Sequence, residues 1–257
     1  MDVEVQPNLE FIDEPVYIHE ITEELHDFHI ESETEEEKEK DEGYAWCVMS
    51  IDIGIHHLGV SVSLLDEEYE LQEIIWIDLI NITEYVHQHG PSRDDCKLYH
   101  TKTFCDWLNH TFQENIGFYE MADFILVERQ PPMGFVVIEQ LIFSKWREKT
   151  ILISPNSMHK YFGIGDYDYE KRKECTDKIA RMKITDEKLL EQLGFYHRTH
   201  DIADSICIML YWIHKKHEEY MQEQRRKRIM ERQIHLAKHG QKLSTDEWFE
   251  MHRYIQQ

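Results

Sequence analysis

The sequence contains no stretch of eighteen apolar residues, no CxxC motif and few glycines, and each absence excludes a class of protein. Without a long apolar run there is no transmembrane helix to predict. The acidic first residues lack the basic and apolar parts of a secretion signal, so we expect no export. The five cysteines form an odd set without metal-ligand spacing, which argues against a disulfide framework and predicts a reducing intracellular compartment.

The formal net charge of −23 is unevenly distributed along the chain. Residues 1–43 hold 17 acids and 2 bases and predict an acidic, disordered tail, whereas residues 215–257 hold 10 bases and 7 acids. We therefore expect a folded domain over residues 44–214 and a basic helical extension after it. Four consecutive bases at 225–228 are compatible with a phosphate-binding face and equally with a solvated helix surface.

Apolar patterning predicts a mixed sheet with helices on its faces. β-Branched and apolar runs at residues 46–53, 58–65 and 71–79 indicate three strands, and the DEEYE segment between the last two indicates a hairpin turn. Apolar residues at helical spacing predict helices at 94–113 and 135–146 and a long helix from residue 201. Short apolar runs predict strands at 124–127 and 150–153. The order β-β-β-α-β-α-β followed by helices predicts an α/β fold with five strands.

Two acids interrupt or end the most apolar strands. Asp52 lies within WCVMSIDI, and Glu128 ends FILV just before Arg129. A buried carboxylate needs a cation or hydrogen-bond donors, since burying even a neutral polar group without a partner costs about 2–7 kcal/mol. Each acid alone is explained as well by a turn cap or a salt bridge as by a functional site.

The segment HDIADS carries two more acids beside an apolar helical stripe. Asp201 and Asp204 are three residues apart, so they share one face of a helix. A capping role would account for Asp201 but not for Asp204. If the four acids meet, their mutual repulsion requires divalent cations, and two such ions held by carboxylates are the apparatus of phosphodiester cleavage.

The motifs SIDIG, VERQ and HDIADS together resemble the RuvC-like Holliday junction resolvases, especially those of poxviruses and related large DNA viruses. The resemblance covers roughly residues 46–214. It implies an RNase H-like fold, a homodimer and paired nicking of four-way DNA junctions, in the cytoplasm of a host cell if the protein is viral. It also implies two Mg²⁺ per active site, with Mn²⁺ as a substitute.

The resemblance assigns roles to individual residues. Asp52 would bridge two metals, Glu128 would complete one site, and Asp201 with Asp204 would complete the other. The bases expected to contact DNA phosphates are Lys171, Arg172, Lys173 and Lys178.

The chain departs from the family pattern at its histidines. His56 and His57 follow DIG, and His200 precedes the last motif, where it would either cap a helix or assist water or phosphate. Two other functions use the same residues: cleavage of RNA–DNA hybrids or flaps by another RNase H-like nuclease, and non-catalytic binding of branched DNA. An actin- or sugar-kinase-like ATPase is disfavoured because its glycine-rich phosphate loops are missing.

Overall fold

A computed structural model describes residues 44–83 and 104–239 of the chain. Its five strands are β1 (Trp46–Ile53), β2 (His57–Leu65), β3 (Leu71–Asn81), β4 (Phe124–Glu128) and β5 (Thr150–Ile153). Its helices are α1 (Phe104–Glu114), α2 (Ile116–Met121), α3 (Val136–Lys145), α4 (Pro155–Tyr161), α5 (Tyr169–Lys183), α6 (Glu187–Phe195) and α7 (Thr199–Lys238).

The strands form one mixed sheet in the order β3-β2-β1-β4-β5. β1, β2 and β3 are antiparallel, whereas β4 is parallel to both β1 and β5. The hairpin between β2 and β3 turns at Asp66, whose carboxylate accepts hydrogen bonds from the backbone N–H groups of Glu68 and Glu70. The predicted five-stranded mixed sheet and its hairpin are therefore confirmed.

Helices cover both faces of the sheet because neighbouring strand residues point to opposite sides. On one face Ile77 belongs to a buried core with Ile202, Ile206 and Met209 of α7. On the other face the ring of Trp76 stacks on Phe118 of α2 with 4.2 Å between centroids. β1 is buried along almost its whole length because it lies at the centre of this sandwich.

α7 is one continuous helix of 40 residues that crosses the predicted boundary between residues 214 and 215. Its first half packs on the sheet, where Ser50 Oγ donates a hydrogen bond to the carbonyl oxygen of Ser205 at 2.7 Å. The predicted acidic tail over 1–43, the start of the helix predicted from residue 94 and the residues after 239 lie outside the described part. Within that part, no helix combines the length and apolar character needed to cross a membrane.

Candidate active site

Asp52 and Glu128 lie side by side at the carboxyl ends of two parallel strands. Asp52 is the penultimate residue of β1, Glu128 is the last residue of β4, and Ile51 faces Val127 just before them. The Asp52 side chain is buried and is within hydrogen-bonding reach of the Glu128 carboxyl group. Two carboxyl groups can share a hydrogen bond only when one of them holds a proton. Burial raises the pKa values of both Asp52 and Glu128, so a proton is held more readily by this pair than by exposed carboxyl groups.

A glycine on β2 brings the helix acids to the same place. Gly59 faces Asp52 across the sheet, and a Cβ atom there would lie 2.1 Å from the carbonyl oxygen of Asp201. Only glycine leaves room for the first turn of α7 at that point. One Asp201 carboxylate oxygen consequently lies 3.8 Å from the position a Cβ would take on Gly54, two residues after Asp52.

The two helix acids each have a basic partner. Arg198 Nε donates to Asp201 Oδ2 at 2.8 Å, and His200 Nε2 lies 3.2 Å from Asp201 Oδ1. Lys173 Nζ donates to Asp204 Oδ2 at 2.5 Å. The other Asp204 oxygen, Oδ1, is buried and accepts no hydrogen bond from the described residues. It is the one carboxylate oxygen of the four acids that is both fully buried and unsatisfied there.

The pKa values show that the acids affect one another. Burial, then Glu128, Asp204 and Asp201, raise the pKa of Asp52 well above its usual value, while Lys173 opposes them. Burial likewise raises the pKa of Glu128, against hydrogen bonds from Asp52 and Gln130.

The pKa of Lys173 responds to the same acids from the opposite side. Burial disfavours its charged form, but Asp204 and Asp52 together outweigh burial and raise the pKa of Lys173. Negative charge is therefore concentrated around Asp52, whose pKa stays raised although Lys173 opposes the effect of burial and of the neighbouring acids.

This donor set fits a hard divalent cation, although no preformed cage holds one. Across residues 44–83 and 104–239, no three His, Cys, Asp or Glu side chains already converge as metal ligands. All donors are carboxylate oxygens, which Mg²⁺ prefers, and the unsatisfied Asp204 Oδ1 needs a positive partner. The residues that would hold the metal are those that the sequence predicted: Asp52, Glu128, Asp201 and Asp204.

The predicted DNA-contacting bases have separate surroundings, although all four lie on α5. Lys173 points at the acids, whereas Lys171 and Lys178 are exposed and pair with Glu174 at 2.9 and 2.5 Å. Arg172 Nη1 donates to the carbonyl oxygen of Tyr167 at 2.7 Å. The helix thus brings one of its predicted bases into the site and leaves two at the surface.

The predicted histidines line one side of the site. The ring of His57 meets that of His197 edge-on, 5.5 Å between centroids, while His56 is exposed. Burial lowers the pKa of His200, against the effect of Asp201. His200 is therefore less readily protonated than an exposed histidine, although its Nε2 lies beside Asp201.

Three further residues support the acids, and the sequence analysis gave none of them a role. Gln130 Nε2 donates to Glu128 Oε2 at 2.7 Å, and the backbone N–H of Gln130 donates to Glu139 Oε2 at 2.7 Å. Glu139 is a buried acid in the otherwise apolar turn of α3, a signal that could have been read. His159 on α4 lies within electrostatic range of Asp204 and Lys173. No pattern in the sequence predicts that His159 lies near the site.

The sheet order, with three antiparallel strands continued by two parallel ones and helices on both faces, is RNase H-like, as the motif resemblance implied. No family model matches the chain, and no curated protein matches it. Among solved structures it is similar to fowlpox virus resolvase in complex with its substrate Holliday junction DNA, at 18% identity and a TM-score of 0.47, over 66% of this chain and 97% of that one.

Two further solved structures are similar. For the yeast mitochondrial Holliday junction resolvase Ydc2 the identity is 19% and the TM-score 0.48, over 67% of this chain and 82% of that one. For RuvC of Thermus thermophilus the identity is 13% and the TM-score 0.41, over 64% of this chain and 92% of that one. All three identities are below 20% and all three TM-scores are below 0.5.

Proposed function

We propose that the protein is a Mg²⁺-dependent, structure-selective endonuclease that resolves four-way DNA junctions by paired symmetric nicks. The four carboxylates at one end of the sheet would bind two divalent cations per active site, with Mn²⁺ as a substitute. The choice of four-way junctions among possible substrates rests on the motifs SIDIG, VERQ and HDIADS.

The observation that carries this proposal is that acids from β1, β4 and α7 lie within electrostatic range of one another at one end of the sheet. Burial and the neighbouring Glu128, Asp204 and Asp201 raise the pKa of Asp52, and Asp204 Oδ1 is buried without a hydrogen-bond donor among the described residues. Such an arrangement is costly for a purely structural cluster, because uncompensated buried charge destabilises a fold. Cations remove that cost.

Bound cations would supply activation of the attacking water and stabilisation of the leaving oxygen. The chain's own residues then have definite tasks. Gln130 orients the Glu128 carboxylate, and Glu139 fixes Gln130 in turn. Arg198, whose side chain is 40% exposed, can leave Asp201 for solvent or for a DNA phosphate when a cation takes its place.

Two active sites are needed to nick a two-fold symmetric junction in pairs, so we propose that the protein acts as a homodimer. The DNA-contacting bases in this proposal are Lys173 beside the acids and the exposed Lys171 and Lys178, with Arg172 next to them. The action is proposed to take place inside the cell, under reducing conditions.

The ion pairs favour a second candidate, non-catalytic binding of branched DNA on the same fold. Lys173 and Arg198 already neutralise Asp204 and Asp201, which is how a nuclease site that no longer binds metal would look. In that case the protein would bind junctions equally well with and without Mg²⁺ and cut none of them.

The test is incubation of the protein with an end-labelled four-way junction and Mg²⁺, beside duplex, flap and RNA–DNA hybrid substrates. We expect paired nicks at the junction, none in EDTA, and recovery with Mn²⁺. Preferential cutting of the hybrid or flap would instead identify another RNase H-like nuclease. Binding without cutting of any substrate would support the second candidate.

A further inference from the structure

The second half of α7 carries four consecutive bases that have no role in the proposed active site. We call residues 225–228 the basic run; they are Arg225, Arg226, Lys227 and Arg228, and all four are exposed. Within the described ranges, none of them has an acid at ion-pair distance. Earlier in the same helix the charges are paired locally, as Lys216 is with Glu219 at 2.7 Å.

The helix fixes the distance between the basic run and the acids. α7 is unbroken from Thr199 to Lys238, and its first half is buried against the sheet. A rise of 1.5 Å per residue puts Arg225 about 32 Å and Arg228 about 36 Å along the helix from Asp204. Arg225 and Arg228 are three residues apart and therefore share one face of the helix.

That distance matches the repeat of duplex DNA. One turn of B-DNA is about 34 Å, or about 10 base pairs. A duplex arm that leaves the acids along α7 would bring its phosphates to the basic run one turn away. Exposed arginines and lysines without acidic partners are the groups that bind such a backbone.

We propose that the basic run binds the phosphate backbone of a duplex arm about one helical turn from the carboxylates. This inference rests on the proposed function, because it takes the DNA to be seated at the acids. The other acceptor of opposite charge is the chain's own segment 1–43, with 17 acids and 2 bases. DNA is favoured because the basic run and the acids lie on one rigid helix.

The experiment compares two doubly substituted full-length proteins by fluorescence anisotropy in EDTA. Arg225→Gln/Arg228→Gln removes two charges from the basic run, and glutamine keeps the helix propensity. Lys183→Gln/Lys188→Gln is the matched control, since these bases are exposed on α5 and α6. Each protein binds junctions with arms of about 20 base pairs, and junctions with arms of about 8 base pairs closed by hairpin loops, which reach only about 27 Å at 3.4 Å per base pair.

We expect Arg225→Gln/Arg228→Gln to bind the long-armed junction about 10-fold or more weakly than the parent. Its slope of log K against log salt should be shallower by about 2, since each lost phosphate contact removes about 0.9. Affinity for the short-armed junction should change less than about 2-fold, because those arms end before the basic run. The control should change less than about 2-fold on both.

Equal losses on short and long arms, or no loss on either, would overturn the inference. A gain in affinity would also overturn it, because it would mean that the basic run binds the acidic segment 1–43 and releases it on substitution. Cleavage is scored separately with Mg²⁺. If no junction is cut, the proposed enzymatic function fails, while the dependence of binding on arm length still decides the inference.

Discussion

The two pairs of acids in the site differ in how their charge is balanced. Asp52 and Glu128 lie on neighbouring strands, and burial raises both their pKa values. Asp201 and Asp204, on one helix, each bind a base. Among the described residues, neither Asp52 nor Glu128 has a lysine or arginine at ion-pair distance. The strand pair therefore depends most on a cation.

The largest expected effect comes from neutralising the strand pair. Asp52→Asn or Glu128→Gln should lower junction cleavage in Mg²⁺ at least about 1,000-fold, which corresponds to about 4 kcal/mol, since the metal's contribution is several kcal/mol. Single-turnover cleavage measures it. Glu187→Gln, an exposed acid at the start of α6, serves as control and should cut as the parent does. An Asp52→Asn protein with parental activity would refute the role of Asp52.

Substituting the basic partners of Asp201 and Asp204 should lower the free energy of unfolding by different amounts. Lys173→Met leaves Asp204 buried and unpaired and should lower the free energy of unfolding in EDTA by about 3 kcal/mol. Arg198→Gln should cost less, about 1 kcal/mol, because His200 still lies beside the buried Asp201 and water can reach the place of the 40% exposed Arg198 side chain. Urea denaturation measures both values. Mg²⁺ should restore much of the stability of Lys173→Met; equal costs for the two variants would argue against the difference in burial.

We expect Gly59→Ala to move the helix acids Asp201 and Asp204 away from the strand acids. The new Cβ would lie 2.1 Å from the carbonyl oxygen of Asp201 and force α7 away from β2, at a cost of about 2 kcal/mol. Cleavage should fall with it. Gly194→Ala in α6 is the matched control: its Cβ meets no atom within 4 Å, so the helix should gain about 0.5–1 kcal/mol. A Gly59→Ala protein as stable as the parent would contradict this packing.

The smallest expected effect is a pH-dependent gain in stability. A raised pKa of Asp52 in the folded state means that the folded protein holds a proton that the unfolded chain releases. Stability therefore falls as the pH rises from the ordinary value, about 4, through the raised one. In EDTA, the stability of Asp52→Asn relative to the parent should be higher at pH 8 than near pH 4. Denaturation curves of both proteins at both pH values measure this difference. An Asp52→Asn protein whose stability relative to the parent is no higher at pH 8 than near pH 4 would contradict the prediction.

The sequence was sufficient for the sheet, and its patterns also singled out the four acids as candidates. Asp52 stood out as a charge inside an apolar strand, and Asp204 as an acid beside an apolar stripe that capping could not explain. The close contact at Gly59 was beyond prediction, because it joins residues about 140 positions apart whose approach depends on how α7 crosses β2. For the same reason Lys173 could not be distinguished from Lys171 and Lys178: only the rotation of α5 decides which base faces the acids.

The most direct test of the metal site is calorimetric titration of the metal-free protein with Mg²⁺, repeated in two buffers that differ in ionisation enthalpy. We predict saturable binding with release of a proton, seen as a buffer-dependent heat, because the raised pKa values of Asp52 and Glu128 favour a protonated pair until a cation binds. Asp52→Asn should weaken the binding and abolish the proton release. The absence of saturable Mg²⁺ binding to the parent protein would contradict a metal-dependent nuclease.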